Sequence, residues 1–383
     1  MQLVLFCHSL VSDWNHGNAH FLRGIVSELM DRGHQVDVYE PKDGWSRCSA
    51  LAQHGRRALQ SYQRAYPQLR SRLYTPEDLD LDRILQAADA VIVHEWNDAE
   101  LVRRIGAHRA RGAGYRLLFH DTHHRSVTAP AEMARYDLSD YDGVLAFGTV
   151  IRDLYVDRGW AARAWTWHEA ADTRVFRPHT GTRREGQLVW IGNWGDEERT
   201  EELHEFLLGP IRRLRLAARV YGVRYPYSGL RALASVGAEY RGWLPNPQVP
   251  EVFGKYALTM HIPRRPYRQC LPGIPTIRVF EALACGIPLL CAPWDDVENL
   301  FRPGRDYLVA RRGREMTELV RQVLHEPGLA EDLARCGRET IEARHTCRHR
   351  VDELLSILRE LGVEAPEAVR PREHAALTRP VSL

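Results

Sequence analysis

Short apolar runs alternate with longer amphipathic segments over most of the chain. Runs of this length with polar residues on both sides predict buried strands. In the first half they are LVLFCH (3–8), QVDVYEP (35–41), AVIVHEW (90–96), RLLFHD (116–121) and GVLAFG (143–148). Between them lie helical patterns such as NAHFLRGIVSELMDRG (18–33), which is apolar at every third or fourth position and closes with Gly33. Strands that alternate with helices predict an α/β fold with parallel, doubly wound sheets.

The same alternation starts again after RVFRPHTGTRREG (174–186), a polar stretch with the composition of a linker between domains. The strands predicted beyond it are QLVWIGN (187–193), AARVYGVRY (217–225), YRGWL (240–244), ALTMHIP (257–263), IPLLCAP (287–293) and DYLVARR (306–312). Two Rossmann-like domains are therefore expected, at 1–175 and 176–345. We expect the last helical pattern, about 347–362, to pack back on the first domain, and the tail at 364–383 to be disordered.

The composition is that of an ordinary globular protein. The chain has 383 residues, with 52 Lys and Arg against 50 Asp and Glu, so its net charge of +2 favours neither a nucleic acid nor an anionic membrane as partner. Its seven cysteines form no C-x-x-C pair, and several, such as Cys285 and Cys291, stand in apolar runs typical of core residues in a reducing compartment. The amino terminus lacks a basic region, and no run approaches the ~18 apolar residues of a transmembrane segment. We therefore expect a cytoplasmic protein.

One charged residue interrupts an otherwise apolar helical segment, IRVFEALACG (277–286). Glu281 stands in this helix, which Pro275 is well placed to open and Gly286 to end. An unpaired buried carboxylate costs several kcal/mol. Glu281 therefore needs a partner, and two interpretations are open. The partner is either Arg278, three residues earlier on the same helix, or a pair of hydroxyl groups on a ligand.

Two segments around Glu281 carry a longer pattern, TIRVFEALACGIPLL (276–290) and ENLFRPGRDYLVA (298–310). Together they resemble the carboxy-terminal donor-binding motifs of GT-B glycosyltransferases, and they are most similar to the spore-maturation (CgeB-like) and family-four-like group. The residues that match are Arg278, Phe280, Glu281, Ala282, Ala284, Cys285, Gly286, Glu298, Phe301, Pro303 and Gly304. WIGNWGDEERTEEL (190–203) and YRGWLPNPQVPEVF (240–253) resemble other segments of the same family.

The resemblance implies a GT-B fold, in which two Rossmann-like domains face each other across a cleft. It also implies that the second domain binds a nucleotide sugar without a metal or a cofactor, and that Glu281 holds the ribose hydroxyls. Retaining family-four enzymes carry another Glu eight residues earlier, where this chain has Gly273. We expect a backbone N–H in PGIP (272–275) to contact the sugar or a phosphate instead, because glycine permits a close approach. This departure leaves the sugar and the stereochemical outcome open.

Further residues of the donor site are expected where strands end and helices begin, because ligands of open parallel sheets bind there. A phosphate group needs positive charge and N–H donors at such a place. Arg199, near a helix start, and Arg265, at the end of a strand, meet this need, although either arginine is equally consistent with a solvated surface charge. Asn193, Thr276 and Ile277 are expected to line the donor site with them.

Polar residues also follow the strands of the first domain. His120 and His123, in the loop HDTHHRS, are expected to contact the transferred sugar after the domains close. A metal site is disfavoured there, because the potential ligands crowd into one loop without the usual spacing. His94, Glu95 and Trp14 are expected on the acceptor side of the cleft.

The first loop, HSLVSDWNHGN (8–18), contains two candidate bases. Asp13 or His16 would deprotonate the acceptor of an inverting enzyme. A retaining enzyme needs no such base, because the leaving phosphate takes the proton on the same face, and retention is the outcome we expect. Gly17 and Asn18 open the first helix and are expected to offer N–H groups to the donor from across the cleft. In the alternative interpretation Asn18 is only a helix N-cap.

The sequence therefore predicts a metal-independent glycosyltransferase with a nucleotide sugar as donor. Its acceptor would be a glycan, a lipid-linked intermediate or a small molecule. A nucleotide-sugar epimerase of the same fold stays open, and so does a catalytically silent nucleotide-sugar-binding protein, which Gly273 would suit. A dehydrogenase is disfavoured, because no G-x-G-x-x-G follows the first strand.

Overall fold

A parallel sheet in each half of the chain forms the frame of the computed structural model, which describes residues 1–179 and 181–364. The first sheet has the strand order β3-β2-β1-β4-β5-β6-β7. These strands are β1 Gln2–Phe6, β2 Gln35–Pro41, β3 Arg72–Tyr74, β4 Ala90–His94, β5 Arg116–Asp121, β6 Gly143–Ala146 and β7 Ala164–Thr166.

The second sheet repeats this arrangement with the order β10-β9-β8-β11-β12-β13. Its strands are β8 Gly186–Ile191, β9 Ala218–Tyr221, β10 Glu239–Tyr240, β11 Tyr256–His261, β12 Leu289–Cys291 and β13 Leu308–Val309. Neighbouring strands pair in parallel in both sheets, as for β1 with β4 and β8 with β11. The predicted fold class, two Rossmann-like α/β domains, is confirmed.

Helices connect the strands of both sheets. In the first domain they are α1 Ala19–Asp31, α2 Trp45–His54, α3 Gln60–Ala65, α4 Leu81–Leu85, α5 Ala99–Ala110, α6 Arg125–Thr128, α7 Pro130–Met133 and α8 Thr149–Asp157. In the second half they are α9 Thr200–Glu202, α10 Gly209–Leu214, α11 Tyr227–Ser235, α12 Val249–Gly254, α13 Arg265–Gln269, α14 Ile277–Cys285, α15 Gly313–His325, α16 Pro327–Arg344 and α17 Cys347–Glu360. Short 3₁₀ segments lie at Gly55–Leu59 and Asn246–Gln248, and a π-helical segment at Leu203–Leu208. No helix in the described part of the chain has the length and apolarity to cross a bilayer.

The apolar strands are buried on both faces, which explains why they read as continuous apolar runs. Leu3 and Leu5 of β1 belong to one core cluster, whereas Val4 and Phe6 belong to another on the opposite side of the sheet. The edge strands β3 and β7 have three residues each and are largely exposed or half-buried. The apolar pattern therefore did not predict them.

The strand order reverses beside the first strand of each sheet. In the first domain β1 lies between β2 and β4, and in the second domain β8 lies between β9 and β11. The loops that follow β1 and β8 consequently open at the topological switch points, where α/β proteins bind their ligands. These two loops, 7–18 and 192–199, face the same interdomain cleft.

The last helix returns to the first domain. Val351, Leu354 and Leu358 of α17 join the core cluster that contains β1 and α1. The backbone of Ala171 bonds to the chain on both sides of Thr346, as Ala171 N–H donates to His345 O and Cys347 N–H to Ala171 O, each at 2.9 Å. The chain therefore crosses between the domains twice, at neighbouring places.

Several local predictions differ from the structure. Pro275 does not open α14, which begins at Ile277 with Thr276 in the N-cap position, whereas Gly286 ends the helix in the left-handed conformation with φ 66°. The predicted strand YRGWL is reduced to the two residues of β10. The predicted disordered tail, apart from Glu364, lies outside the described residues.

Gly24 provides a test of the packing between α1 and α17. A Cβ at this position would lie 2.3 Å from Cys347 Sγ and 2.9 Å from Asp172 Cβ. We predict that Gly24→Val lowers the free energy of unfolding by about 1–3 kcal/mol, the usual cost of overpacking. Gly114→Ala is the control, because nothing lies within 4 Å of its Cβ position. Equal urea midpoints for Gly24→Val and the wild type would contradict this packing.

Candidate active site

Two adjoining cavities lie between the domains, at the carboxyl ends of both sheets. The smaller has a volume of about 260 Å³ and the larger of about 710 Å³. Their shared lining comes from both domains and consists of Asn15, His16, Gly17, His123, Asn193, Arg264, Tyr267, Thr276 and Ile277. A ligand that occupies both cavities must pass through this junction.

The smaller cavity is built mainly from the second domain. Loops after β8 and β9 form one side, and the amino end of α14 forms another. Apart from the shared residues, its second-domain lining is Ile191, Gly192, Arg199, Gly222, Val223, Trp243, Leu244, Asn246, Val249 and Arg278. It thus combines an apolar wall around Trp243 with arginines and helix N–H groups, which suits a ligand with a flat ring and an anionic group.

The larger cavity is built mainly from the first domain. Apart from the shared residues, its lining is Trp14, Asn18, Trp45, Trp96, Thr122, Phe147, Glu169, Asp196 and Arg224. Aromatic rings and polar groups are therefore mixed around it, as in sites that bind small polar molecules.

Beneath the cavities, His20 and Glu281 join the two domains. His20 Nδ1 lies 2.8 Å from Glu281 Oε1, and both side chains are fully buried. His20 Nε2 lies 2.7 Å from the backbone nitrogen of Asp172. An amide N–H can only donate, so Nε2 accepts and the ring proton lies on Nδ1. His20 therefore donates its Nδ1 proton to Glu281.

Two further donors complete the environment of Glu281. Asn246 Nδ2 donates to Oε1 at 2.6 Å, and Arg278 donates to Oε2. Burial raises the pKa of Glu281, but the charge of Arg278 and the hydrogen bonds from His20 and Asn246 outweigh it, so that the pKa is lowered. The ion pair with Arg278 is thus present. Glu281 itself lines neither cavity, although Asn246 and Arg278 do; its contact with ribose hydroxyls stays a prediction.

Arg199 brings a positive charge to the smaller cavity. Its guanidinium donates to Ile262 O at 2.9 Å and to Asn193 O and Oδ1, each at 2.7 Å. These acceptors are uncharged, and no carboxylate within the described residues forms an ion pair with it. Burial lowers the pKa of Arg199 to about 10, which still leaves it positive at neutral pH. The fixed, uncompensated charge favours an anion in the cavity.

Arg265 lies outside both cavities, which differs from the prediction, whereas its neighbour Arg264 lines both of them. Arg265 turns away at the start of α13, and its guanidinium donates to the carbonyl oxygens of Glu197 and Glu198. Arg264 keeps an extended backbone and pairs with Glu198 at 2.9 Å. Adjacent side chains at a helix start point in different directions, and the sequence alone does not tell which one enters the cleft.

Gly273 also lies outside the cavity linings. Its N–H donates to Asp295 O at 2.6 Å, so it does not offer the free donor that was predicted. Its φ is 87°, and a Cβ there would lie 2.7 Å from Glu298 Cγ. Glu298 occupies the space beside it and accepts hydrogen bonds from Thr149 N–H and Oγ1 at 2.8 and 2.6 Å.

His94, Glu95 and His120 are buried and line neither cavity, contrary to the prediction. His94 and His120 are partners in the register of β4 and β5, and their rings pack 5.2 Å apart. His120 also packs on Trp167 at 4.9 Å. Glu95 pairs with Arg125 at 2.7 Å. These residues stand at the strand ends, where the side chains face the core, and only the residues after them reach the cleft.

The other predicted residues lie in the cleft. They are Asp13, Trp14, His16, Gly17, His123, Asn193, Arg199, Thr276 and Ile277. Asp13 Oδ2 pairs with the buried Arg23 at 2.9 Å. His16 Nε2 lies 3.1 Å from Ser9 O, so it carries the proton and leaves a lone pair on Nδ1. Within the described residues, no three His, Cys, Asp or Glu side chains group as a metal site.

Glu169 is a residue of the larger cavity that the sequence interpretation missed. It is only 6% exposed, and its Oε1 accepts a hydrogen bond from Asn18 Nδ2 at 2.9 Å. Asn18 therefore does not cap α1 through its side chain. Burial raises the pKa of Glu169 to about 8; Asn18 opposes this rise and the nearby charge of Glu281 adds to it. The only signal in the sequence was a charged residue just before the linker, in TWHEAAD.

The comparisons with known proteins agree with this architecture. Residues 199–356 match the family model described as glycosyl transferase-like. A search of curated proteins finds no match.

Solved structures with the same fold cover nearly the whole chain. Sucrose-phosphate synthase from Thermosynechococcus elongatus and Anabaena Alr3699/HepE, a complex with UDP and glucose, each have a TM-score of 0.64 at 12% identity. An alpha-glucosyltransferase in complex with UDP and a 13-mer DNA has a TM-score of 0.66, also at 12% identity. Each similarity covers 94% of this chain and 99% of the other. The shared architecture is the GT-B fold.

The raised pKa of Glu169 predicts a pH-dependent stability. In the unfolded chain a glutamate has a pKa of ~4.3, whereas burial raises the pKa of this carboxyl to about 8 in the folded protein. Folding therefore keeps Glu169 protonated, and its contribution to stability, full below the unfolded pKa, is lost as the pH rises to about 8. We predict that Glu169→Gln is more stable than the wild type at pH 8, by on the order of a few kcal/mol, and nearly equal at pH 4.5.

Urea unfolding of both proteins across this range measures the difference. A constant difference at all pH values would show that Glu169 is already ionised in the folded protein.

Proposed function

We infer that this chain, a glycosyltransferase with the GT-B fold, binds a nucleoside-diphosphate sugar in the smaller cavity and transfers the sugar to an acceptor in the larger one. The observation that carries this proposal is the junction between the cavities. Asn193 and Thr276 of the second domain meet Gly17 and His123 of the first domain there. The anomeric carbon of a bound donor would lie at this junction, within reach of both domains.

The parts of a nucleotide sugar match successive parts of the cleft. The base would lie against the apolar wall of Trp243 and Leu244. The diphosphate would meet the positive charge of Arg199 and the amino end of α14. Because two structurally similar proteins are complexes with UDP, UDP is the first nucleotide to test. The motifs at 276–310 support a spore-maturation (CgeB-like) subgroup.

We propose that transfer needs no metal and retains the anomeric configuration. Arg199, Arg264 and the helix N–H groups would stabilise the negative charge that develops on the leaving diphosphate. Retention fits a first loop whose Asp13 carboxylate is held by Arg23. The lone pair on His16 Nδ1 provides the alternative, a base for inversion. The anomeric proton coupling in the NMR spectrum of the product distinguishes the two outcomes.

A screen of nucleotide sugars tests the proposed function. A donor that binds the folded protein raises its melting temperature. At a hundredfold excess over Kd, the donor adds ~2.7 kcal/mol to the free energy of unfolding. Chromatography of the stabilising donors then shows whether the free nucleoside diphosphate is released. Release supports a transferase, formation of the epimeric sugar supports an epimerase, and binding without turnover supports a silent binding protein. Stabilisation by no nucleotide or nucleotide sugar would overturn the proposal.

Arg199 and Arg265 form a matched pair of variants for the diphosphate site. We predict that Arg199→Ala weakens binding of UDP about tenfold or more and that of uridine little, because a lost bond to a charged group costs ~1.5–3 kcal/mol. Arg265→Ala should leave both affinities unchanged, since Arg265 lines neither cavity. Calorimetric titration measures these affinities. Equal losses for UDP and uridine in Arg199→Ala would show that this arginine only supports the fold.

His123 provides a test of the sugar end of the donor. We predict that donor turnover survives EDTA, and that His123→Ala lowers kcat and kcat/KM together while sparing the affinity for UDP. His120→Ala is a poor probe of contact with the sugar, because His120 is buried below the cleft. Loss of turnover in EDTA that a divalent ion restores would contradict the metal-independent mechanism. Normal turnover in His123→Ala would show that His123 has no catalytic role, and His16 would then be the catalytic residue to test.

A further inference from the structure

Three tryptophans form one continuous wall of the larger cavity. The ring of Trp45 lies between those of Trp14 and Trp96, with a centroid distance of 6.3 Å to each. Trp45 is 38% exposed, and all three residues line the cavity. Trp14 is buried and Trp96 half-buried, so Trp45 is the exposed ring of the three and presents a large apolar face beside the cleft, as binding surfaces do.

Neighbouring side chains hold these rings in place from behind. His8 stacks on Trp45 at 4.4 Å, and burial lowers the pKa of His8 to about 4, so it stays neutral there. The guanidinium of Arg125 lies 4.0 Å from the ring centre of Trp96. Trp14 Nε1 donates to Gln53 Oε1 at 2.9 Å. The wall is therefore ordered before a ligand binds, which lowers the entropic cost of binding.

Another part of the same cavity is polar. Glu169 uses Oε1 to bind Asn18, and Asn18 Oδ1 is buried with no partner among the described residues. Thr122 and His123 also line this cavity. A buried polar atom without a partner costs about 1–3 kcal/mol, so a ligand that supplies hydroxyl groups here is favoured.

We propose that the acceptor is a sugar residue, whose ring packs on Trp14, Trp45 and Trp96 and whose reactive hydroxyl binds Glu169. The proposal rests on the proposed function and names its acceptor. A pyranose ring has a C–H face that is attracted to the negative face of an indole ring, and hydroxyl groups around its edge that suit Asn18 and Glu169. A lipid or a simple phenol would cover the tryptophans but would leave these polar groups unpaired.

The transfer step is balanced without a further reactant. The acceptor oxygen forms the new bond to the anomeric carbon, and the bond between that carbon and the diphosphate oxygen breaks. The hydroxyl proton leaves on the diphosphate. Glu169 accepts a hydrogen bond from the hydroxyl before the step and so orients it toward the anomeric carbon.

A glycan array probed with the protein in the presence of UDP tests the acceptor class. We expect binding to at least one group of glycans. For a glycan so identified, Trp45→Ala should raise the acceptor KM about tenfold, as expected from loss of a stacked ring, and Trp45→Phe should restore much of it. Trp160→Ala is the control, because Trp160 packs on Tyr155 and Arg158 and lines neither cavity.

Glu169→Gln tests the polar end of the same site. We expect it to lower kcat for transfer to the glycan at least about tenfold while leaving the KM for the donor unchanged. A purely structural role for Glu169 would change both parameters or neither.

The outcomes separate this proposal from the proposed function. Release of the nucleoside diphosphate from a donor, combined with binding to no glycan, would overturn the sugar acceptor alone. Transfer to a phenol or to an oligonucleotide instead of a glycan would overturn it as well. Equal acceptor KM values for Trp45→Ala and Trp160→Ala would show that the tryptophan wall does not bind the acceptor. If no nucleotide sugar binds or turns over, the proposed function itself fails.

Discussion

The buried contact between His20 and Glu281 is the constraint on which the cleft depends. It joins the first helix of one domain to the helix of the donor motif in the other, and neither side chain is accessible to solvent. Burial of an unpaired carboxylate would cost several kcal/mol. Asn246 and Arg278 donate to Glu281 from its own domain, whereas the bond from His20 forms only while the two domains lie against each other. The same contact therefore sets the positions of Gly17 and Thr276, which face each other across the junction.

Two buried carboxyl groups near this contact behave in opposite ways, and the number of donors explains the difference. Glu281 receives hydrogen bonds from His20, Asn246 and Arg278, and its pKa falls. Burial and the charge of Glu281 raise the pKa of Glu169 to about 8, and the amide of Asn18, the charge of Arg278 and the Ile277 N–H only partly oppose this rise. The first carboxylate holds the structure together. Glu169 lies in the wall of a cavity and has a raised pKa, a combination that is typical of residues in ligand-binding sites.

The apolar pattern predicted most of the fold, because strands buried on both faces leave long apolar runs in the sequence. It also predicted that Glu281 needs a partner. It could not predict which of two adjacent residues reaches the cleft, as with Arg264 and Arg265, because the turn that separates them is set by tertiary packing. His120 was placed in the cleft although the ends of its strand were predicted correctly, because the sequence does not show that this side chain faces the core. The sequence did not indicate a binding role for Trp45, because Trp14 and Trp96, which form the wall with it, are distant in the sequence.

We propose that the nucleotide binds between the two domains, and amide hydrogen exchange tests this directly. Exchange is measured by mass spectrometry on the wild-type protein with and without saturating UDP, since protection reports how strongly each segment is held closed. A nucleotide held by both domains should slow exchange in two segments at once, 13–20 of the first domain and 276–286 of the second. Protection of the second segment alone, or of neither, would contradict a site that both domains build.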